Sequence, residues 1–327
     1  MPKTMVNTDV IKAAVQLACR APSLHNSQPW RWAADHAVVD LFLDPNSILY
    51  STDRLGREAL ISCGAVLDHF RVAMAAAGWT ANVDRFPDPN NLDHLASIDF
   101  SPMTFPTDTY RRRADAILRR RTDRLPFAAP PNWESFEPAL RSIIDDSVAY
   151  LDVLSDDARP QLAEASKFTE SLRLYDLFYQ AELDWWAGWF PTAKGIPRSS
   201  LVSDTESERV DVGRAFPVSA HTERRPSIHK DYSKVLVLST QEDSRNDALA
   251  CGEVLSTVLL ECTMAGMATC PLTHMTELAA SRNIIGNLIE REAFPQVLIR
   301  VGVAPVLEQL PPATPRRPLS DVLELRD

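Results

Sequence analysis

The sequence predicts a helix-rich protein of mixed α and β structure built from two related halves. One observation is an internal likeness. Cys63-Gly64-Ala65-Val66-Leu67 runs on to Gly78 and Cys251-Gly252-Glu253-Val254-Leu255 to Gly266, with matching landmarks 188 positions apart in each case. Each copy reads as a long buried helix stopped by glycine, the residue that most easily turns left-handed beyond a helix end. A second observation is the order of strand candidates around the copies: residues 37–43 and 234–239 precede them, and residues 95–100 and 296–303 follow. All four are short apolar runs with β-branched side chains. The third is an amphipathic helix near the start, where Val10, Ile11, Ala14, Val15, Ala18 and Cys19 recur at helical spacing until Pro22 ends the run.

The 327 residues suffice for two domains of ordinary size or one large one, and a 45% hydrophobic, 24% charged composition is that of a soluble globular chain. No apolar run approaches the roughly 20 residues of a bilayer span. The polar start, with Lys12 and Gln16 on the first helix, is unlike a secretory leader. Five scattered cysteines fit reduced thiols in a cytoplasmic protein. A net charge of -10 opposes general attraction to nucleic acid or acidic membranes, so neither is expected as a partner. The arginine clusters at 111–113, 119–121 with Arg124, 224–225 and 316–317 are local exceptions.

Several familiar sites are missing from the sequence. With ten glycines and neither a G-x-G-x-x-G nor a G-x-x-x-x-G-K-[ST] run, a glycine loop around phosphates is not expected. No H-x-x-x-H pair occurs and Cys270 with His274 stands alone, so no metal site is expected. Ser23 and His25 lie close in sequence, but a hydrolase triad is a matter of three-dimensional geometry that adjacency does not supply.

Two segments call for a use. Residues 21–30, Ala-Pro-Ser-Leu-His-Asn-Ser-Gln-Pro-Trp, place two prolines among amide and hydroxyl groups and read as a binding loop, with a plain structural turn as the alternative. Residues 183–226 hold Trp185, Trp186, Trp189 and Phe190, then prolines, glycines, serines and charges through Arg225. So long a stretch of weak periodicity reads as a lid-like insertion over a site, a solvated excursion or an oligomer contact.

The 21–30 loop resembles the A-P-S-x-x-N-x-Q-P-W element of the FMN-dependent nitroreductase family, matched without a gap, and the chain is similar to that family's mycobacterial Acg-type subgroup over essentially its whole length. The resemblance implies an α+β fold, with a central mostly antiparallel sheet flanked by helices in each half. It implies halves at 1–108 and 109–327 that form an intramolecular pseudo-dimer, and hence a monomer. It implies FMN, held on one side by Pro22, Ser23, Leu24, Asn26 and Gln28, with Trp30 buttressing the loop. The family's R-x-S-x-[RK] motif matches Arg120-Arg121-Thr122-Asp123-Arg124: Arg120 would meet phosphate, Thr122 would add a hydroxyl and Arg124 would sit by the pyrimidine edge of the flavin. Thr273 and His274 stand where many members have Glu-Gly against flavin N5, and Arg316 and Arg317 resemble a C-terminal phosphate clamp. The bland alternatives are a solvated basic helix end or a nucleic-acid patch for residues 120–124, the latter opposed by the overall acidity, and a charged tail for 316–317. Since only the first half has the loop and only the second has the arginines, one flavin site per chain is expected.

In this reading flavin carries the chemistry and no protein nucleophile is needed. The leading expectation is an NAD(P)H-dependent oxidoreductase that reduces nitroaromatics or quinones by a ping-pong route. The alternative is an FMN store, sequestering protein or sensor whose lid occludes the ring, and a basic-patch binding protein without flavin is a remoter third.

Overall fold

The computed structural model describes residues 4–104, 107–188, 193–217, 223–305 and 312–326. Helix α1 (Thr8–Ala18) is capped by Asn7, whose side chain accepts from the Asp9 amide, and it buries Ile11, Ala14, Val15 and Ala18. Beyond the 21–30 loop come β1 (Trp30–Ala34), β2 (Val38–Leu43), α2 (Arg57–Ala76), β3 (Trp79–Arg85), β4 (His94–Pro102) and α3 (Asp108–Arg119). The second half opens with α4 (Trp133–Ser142) and β5 (Tyr150–Leu154), then passes through α5 (Arg159–Arg173), α6 (Leu177–Trp186) and the short α7 (Asp204–Ser207). It continues as β6 (Lys234–Thr240), α8 (Arg245–Met264), β7 (Ala268–Leu272), α9 (Ala279–Leu288) and β8 (Phe294–Gly302), with α10 (Leu319–Val322) and β9 (Leu323–Leu325) last.

The fold is α+β, and the two halves share one topology. Their strands lie in the orders β3-β4-β2-β1 and β7-β8-β6-β5, every neighbouring pair antiparallel. Even the irregularities correspond: the register slips between Leu41 and Phe42 in one sheet and between Leu238 and Ser239 in the other. The four strand candidates of the sequence are β2, β4, β6 and β8. One departure from symmetry is β9, which returns to the first half and pairs in parallel with the free edge of β1.

The repeated segments are α2 and α8. Gly78 and Gly266 stop them at φ of 88° and 76°, in the left-handed region that glycine enters without penalty. By length and apolarity α2 resembles a bilayer span, contrary to the reading that no run comes near one. It is a core helix, with 89% of its most apolar window buried. The two helices cross where each has its glycine. A Cβ on Gly64 would lie 1.9 Å from the Leu249 carbonyl oxygen, and one on Gly252 would lie 2.1 Å from that of Ile61. The contact is reciprocal, because Leu249 and Ile61 are themselves 188 positions apart. One turn further along, Ser256 donates to Asp68 across 2.5 Å, again two matching positions. A continuous core runs through this crossing from Trp32 and Phe70 in the first half to Leu249 and Val258 in the second.

Candidate functional site

The 21–30 loop is strained and closely tied. His25, Asn26 and Gln28 have φ of 48°, 59° and 54°, each costing on the order of 1 kcal/mol or more outside glycine. Local bonds hold them: the Gln28 amide donates to Ser23 Oγ (3.1 Å), the Leu24 amide to Ser62 Oγ on α2 (3.2 Å) and the Ser27 amide to the Leu24 carbonyl (2.9 Å). The loop thereby faces the second half with Pro22, Ser23, Leu24 and His25.

These four residues form one wall of a cavity of about 510 Å³. Glu58, Ile61 and Ser62 of α2 and Leu255 of α8 extend it, Thr122 and Arg124 contribute from the arginine motif, and Cys270 to His274 close the far side. His274 is buried and neutral, its pKa pushed well below the ordinary value by burial and then by Arg214. Its tautomer follows from its neighbour. Ser166 spends its proton on the Gly213 carbonyl (3.0 Å), so His274 Nε2 donates to Ser166 Oγ (2.9 Å) and Nδ1 bears the lone pair. Arg214, which forms part of the same wall, is held by Glu277, Tyr179 and Thr273. Burial opposes its charge, but Glu277 and Tyr179 more than compensate and raise its pKa.

A smaller cleft of about 60 Å³ adjoins the cavity and shares Pro22, Ser23, Thr122 and Arg124 with it. Arg20, Arg120, Arg121, Arg316 and Asn26 line it too, with Thr314 and, from the insertion, Ile196, Pro197 and Ser200. Arg120 is 5% exposed; one of its nitrogens reaches the Arg20 carbonyl (3.3 Å), while Nε and Nη1 meet no partner among the described residues. Burial, reinforced by Arg20, lowers its pKa to about 10; burial, Arg120 and Arg20 lower that of Arg316 to about 9. Like charges compressed this way, with buried donors left over, fit an anion such as a phosphate monoester.

The structure thus brings Pro22, Ser23, Leu24, Asn26, Arg120, Thr122, Arg124, Thr273, His274 and Arg316 around two joined cavities. Gln28, Trp30 and Arg317 lie off both. Trp30 is fully buried in the core. Gln28, also fully buried, donates to the Ala193 carbonyl (2.7 Å) and accepts from the Arg317 amide (2.9 Å). Arg317 reaches Asp44 (3.1 Å) and loop carbonyls. Two residues on the cleft are otherwise engaged. Asn26 donates to the carbonyls of Gly195 (3.0 Å) and Pro315 (3.1 Å), and Arg316 places its guanidinium on the carbonyls of Cys19, Arg20, Ala21, Thr314 and Pro315. Arg316 therefore closes the end of α1 onto the tail, and its contribution to the cleft is charge.

Sequence reasoning expected a lid-like insertion at 183–226 but named none of the residues by which it meets the site. Ser207, Glu208, Val210 and Asp211 border the cavity, as do Gly213 to Phe216. The Phe216 ring meets His25 edge-on with centroids 5.7 Å apart, and the Arg124 guanidinium lies 5.1 Å from its centroid. Phe216 thus joins the loop of one half to the arginine motif of the other, a link no sequence spacing announces. Trp189 and Phe190 of the insertion lie outside the described residues.

Two lobes of one α+β topology meet at a cavity with an arginine-lined annex, and residues of both halves line it. No protein-family model matches the chain. It is 64% identical, over all of its own length and 98% of the other's, to a Mycobacterium tuberculosis protein named "Putative NAD(P)H nitroreductase acg". A second protein of that organism, uncharacterised, is 56% identical over 97% of this chain and 93% of its own. Among solved structures, the FMN-dependent nitroreductase NfnB of Mycobacterium smegmatis in complex with NADPH matches 65% of this chain and 97% of its own at 16% identity, with a TM-score of 0.40. The chain belongs to the Acg family of nitroreductase-like proteins.

Proposed function

We propose that the chain binds one FMN between its halves and works as an NAD(P)H-dependent oxidoreductase on nitroaromatics or quinones. The observation that carries this reading is the junction of the two cavities. A roomy, largely apolar chamber of the size that suits a planar ring system opens, at Ser23, Thr122 and Arg124, onto a cleft whose buried arginines want an anion. Arg120 and Arg20 would hold the phosphate, and Arg124, lining both spaces, would lie beside the ring and favour its reduced, anionic form. The flavin supplies hydride chemistry when bound. The protein positions the ring, excludes water and sets the electrostatics around it. The family name of the relatives agrees with this use, and the reciprocal packing of α2 and α8 supports a pseudo-dimer within one chain that assembles a single site.

A second reading, an FMN store, is favoured by one specific feature. The insertion is bolted to the loop through the amides of Asn26 and Gln28, and its Phe216 stands against both halves of the site. A lid so held would restrict access to the ring. The deciding experiment is the visible spectrum and flavin content of the purified chain, followed by NADH and NADPH oxidation with a nitro compound or quinone. One FMN per chain and sustained turnover support the enzyme. One FMN without turnover supports the store, and a chain that stays colourless after incubation with FMN overturns both.

A further inference from the structure

Helix α6 is apolar on two sides. Its inner side buries Tyr179 and Leu183. Leu177, Phe178, Ala181, Asp184 and Trp185 recur at the spacing of a single face turned the other way, and all five are exposed. Only Asp184 among them is charged. Tyr175 extends this face from the turn before the helix, and Tyr50 flanks it from the first half, because the neighbouring Ser51 and Thr52 amides donate to Glu182 of α6 (3.1 and 2.9 Å). Tyr50, Tyr175, Phe178 and Trp185 are 61%, 87%, 81% and 78% exposed. A covered aromatic side chain withdraws about 150–250 Å² from water, so at these exposures the four rings offer about 600 Å². Leu174 and Leu177, 58% and 79% exposed, bring the face near the roughly 800 Å² that each partner gives to a stable interface. A contiguous apolar patch of that size is rare on a protein that stays alone.

We propose that two copies of the chain pair through this face, with their α6 helices antiparallel about a twofold axis at Ala181. Leu177 and Trp185 stand four residues to either side of Ala181, so each meets the other's counterpart across the axis, the self-complementarity that an isologous contact requires. The small side chain at the centre lets the helices approach. In this arrangement the two Asp184 carboxylates lie six residues apart along the helices, about 9 Å at 1.5 Å per residue, whereas parallel helices would set them face to face. An anionic lipid surface fits the face less well, since Asp176, Glu182 and Asp184 on and beside it are acidic against Arg54 on the adjoining loop. The chain is then a dimer of pseudo-dimers, where the family resemblance implies a monomer. Pairing also braces the cavity: Tyr179, on the inner side of α6, accepts from Arg214 of the cavity wall (2.7 Å). None of this depends on which reaction the cavity serves.

Two measurements on the full chain test this. In analytical ultracentrifugation at micromolar concentrations the wild type should sediment at twice the 36.5 kDa of the chain. Phe178→Ser and Ala181→Arg, both at exposed positions, should each raise the dimer dissociation constant at least about thirtyfold, the loss of a hot-spot contact. Leu118→Ser, at a 60% exposed leucine on α3, should leave it unchanged. In the second measurement, Ala181→Cys treated with a short bismaleimide should give covalent dimers, because the five native cysteines are buried and the axis brings the two new thiols together; Leu118→Cys should not. A monomeric wild type, a dimer indifferent to both α6 substitutions, or no cross-linking of Ala181→Cys overturns the proposal. So does flotation of an otherwise monomeric chain with vesicles of phosphatidylcholine and phosphatidylglycerol, which would assign the face to a lipid surface.

Discussion

Gly64→Ala should unfold the seam between the halves more easily, and its magnitude can be worked from the crossing of α2 and α8. Inside an exposed helix the change would help by about 1 kcal/mol, because alanine is the better helix former. Here the new methyl would sit 1.9 Å from the Leu249 carbonyl oxygen and 2.8 Å from Gly252 Cα, whereas ordinary contact begins at 3.4 Å. Both neighbours are backbone, so no side chain can swing away. The helices must part by roughly 1.5 Å, the kind of overpacking that costs about 1–3 kcal/mol or more, while losing close packing along both faces. With backbone on both sides the upper end of that range applies, and subtracting the helical gain leaves a net loss of about 2 kcal/mol or more. Denaturant unfolding against Gly286→Ala supplies the measure, since a Cβ there meets nothing closer than Pro295 Cγ at 4.0 Å and should be neutral or stabilising. Because Ile61 and Leu255 beside the crossing also line the cavity, flavin affinity should fall with stability. Gly64→Ala as stable as the wild type would refute the packing argument.

Arg120→Met should cost about 1.5–3 kcal/mol of FMN affinity, the worth of a charge-assisted bond, yet leave the flavin-free chain as stable or more so because it relieves Arg20 and Arg316; fluorescence titration and melting of the apoprotein separate the two effects. Gln28→Ala should destabilise by about 1–3 kcal/mol by orphaning the Ala193 carbonyl and the Arg317 amide, and should hasten both FMN exchange and proteolysis within 193–217. Asp231→Asn should be severe, about 3–5 kcal/mol, since Asp231 is a buried counter-ion to Arg159 (2.6 Å) and Arg300 (3.1 Å). The Asp231 pKa is lowered in the folded chain: burial opposes this, but Arg300, Ser233, Phe127 and Arg159 prevail. Its contribution is therefore present above the unfolded carboxyl pKa and fades as pH falls through the folded one, so melting curves of wild type and variant should converge in acid. For Glu58 the sign is opposite. With a folded pKa that burial, countered by Arg57, raises to about 8 from the ordinary 4.5, stability declines as pH rises from 4.5 to 8, and Glu58→Gln should flatten that decline.

How much of this was legible in the sequence depends on whether a feature is local. Helix stops at Gly78 and Gly266 and the spacing of the copies are local facts, and they located α2 and α8. Strands β1, β3, β5 and β7 escaped notice for different reasons. β1 begins inside the binding-loop motif at Trp30, and β3, at a sheet edge, alternates between half-buried and exposed residues with no strong apolar run. Of the site, the motif residues were findable because each motif is contiguous. Which way Gln28, Trp30 and Arg317 point is decided by partners 165 or more positions distant in two of the three cases, at Ala193 and Asp44. His25, Glu58 and Phe216 carry no signature of their own. They become wall residues only when the insertion folds back against α2 and the loop.

The return of β9 to the edge of β1 has a bearing on how the chain is made. During synthesis the first sheet emerges early with the edge of β1 bare, a template for mispairing with other chains. It is covered only when residues 323–325 arrive, with Arg326 then reaching Asp40 (2.8 Å) to hold them. The tail that closes this edge also carries Arg316 into the arginine cleft. The cleft thus receives the charge of Arg316 from the same stretch of chain that covers β1, and only after both halves have been made.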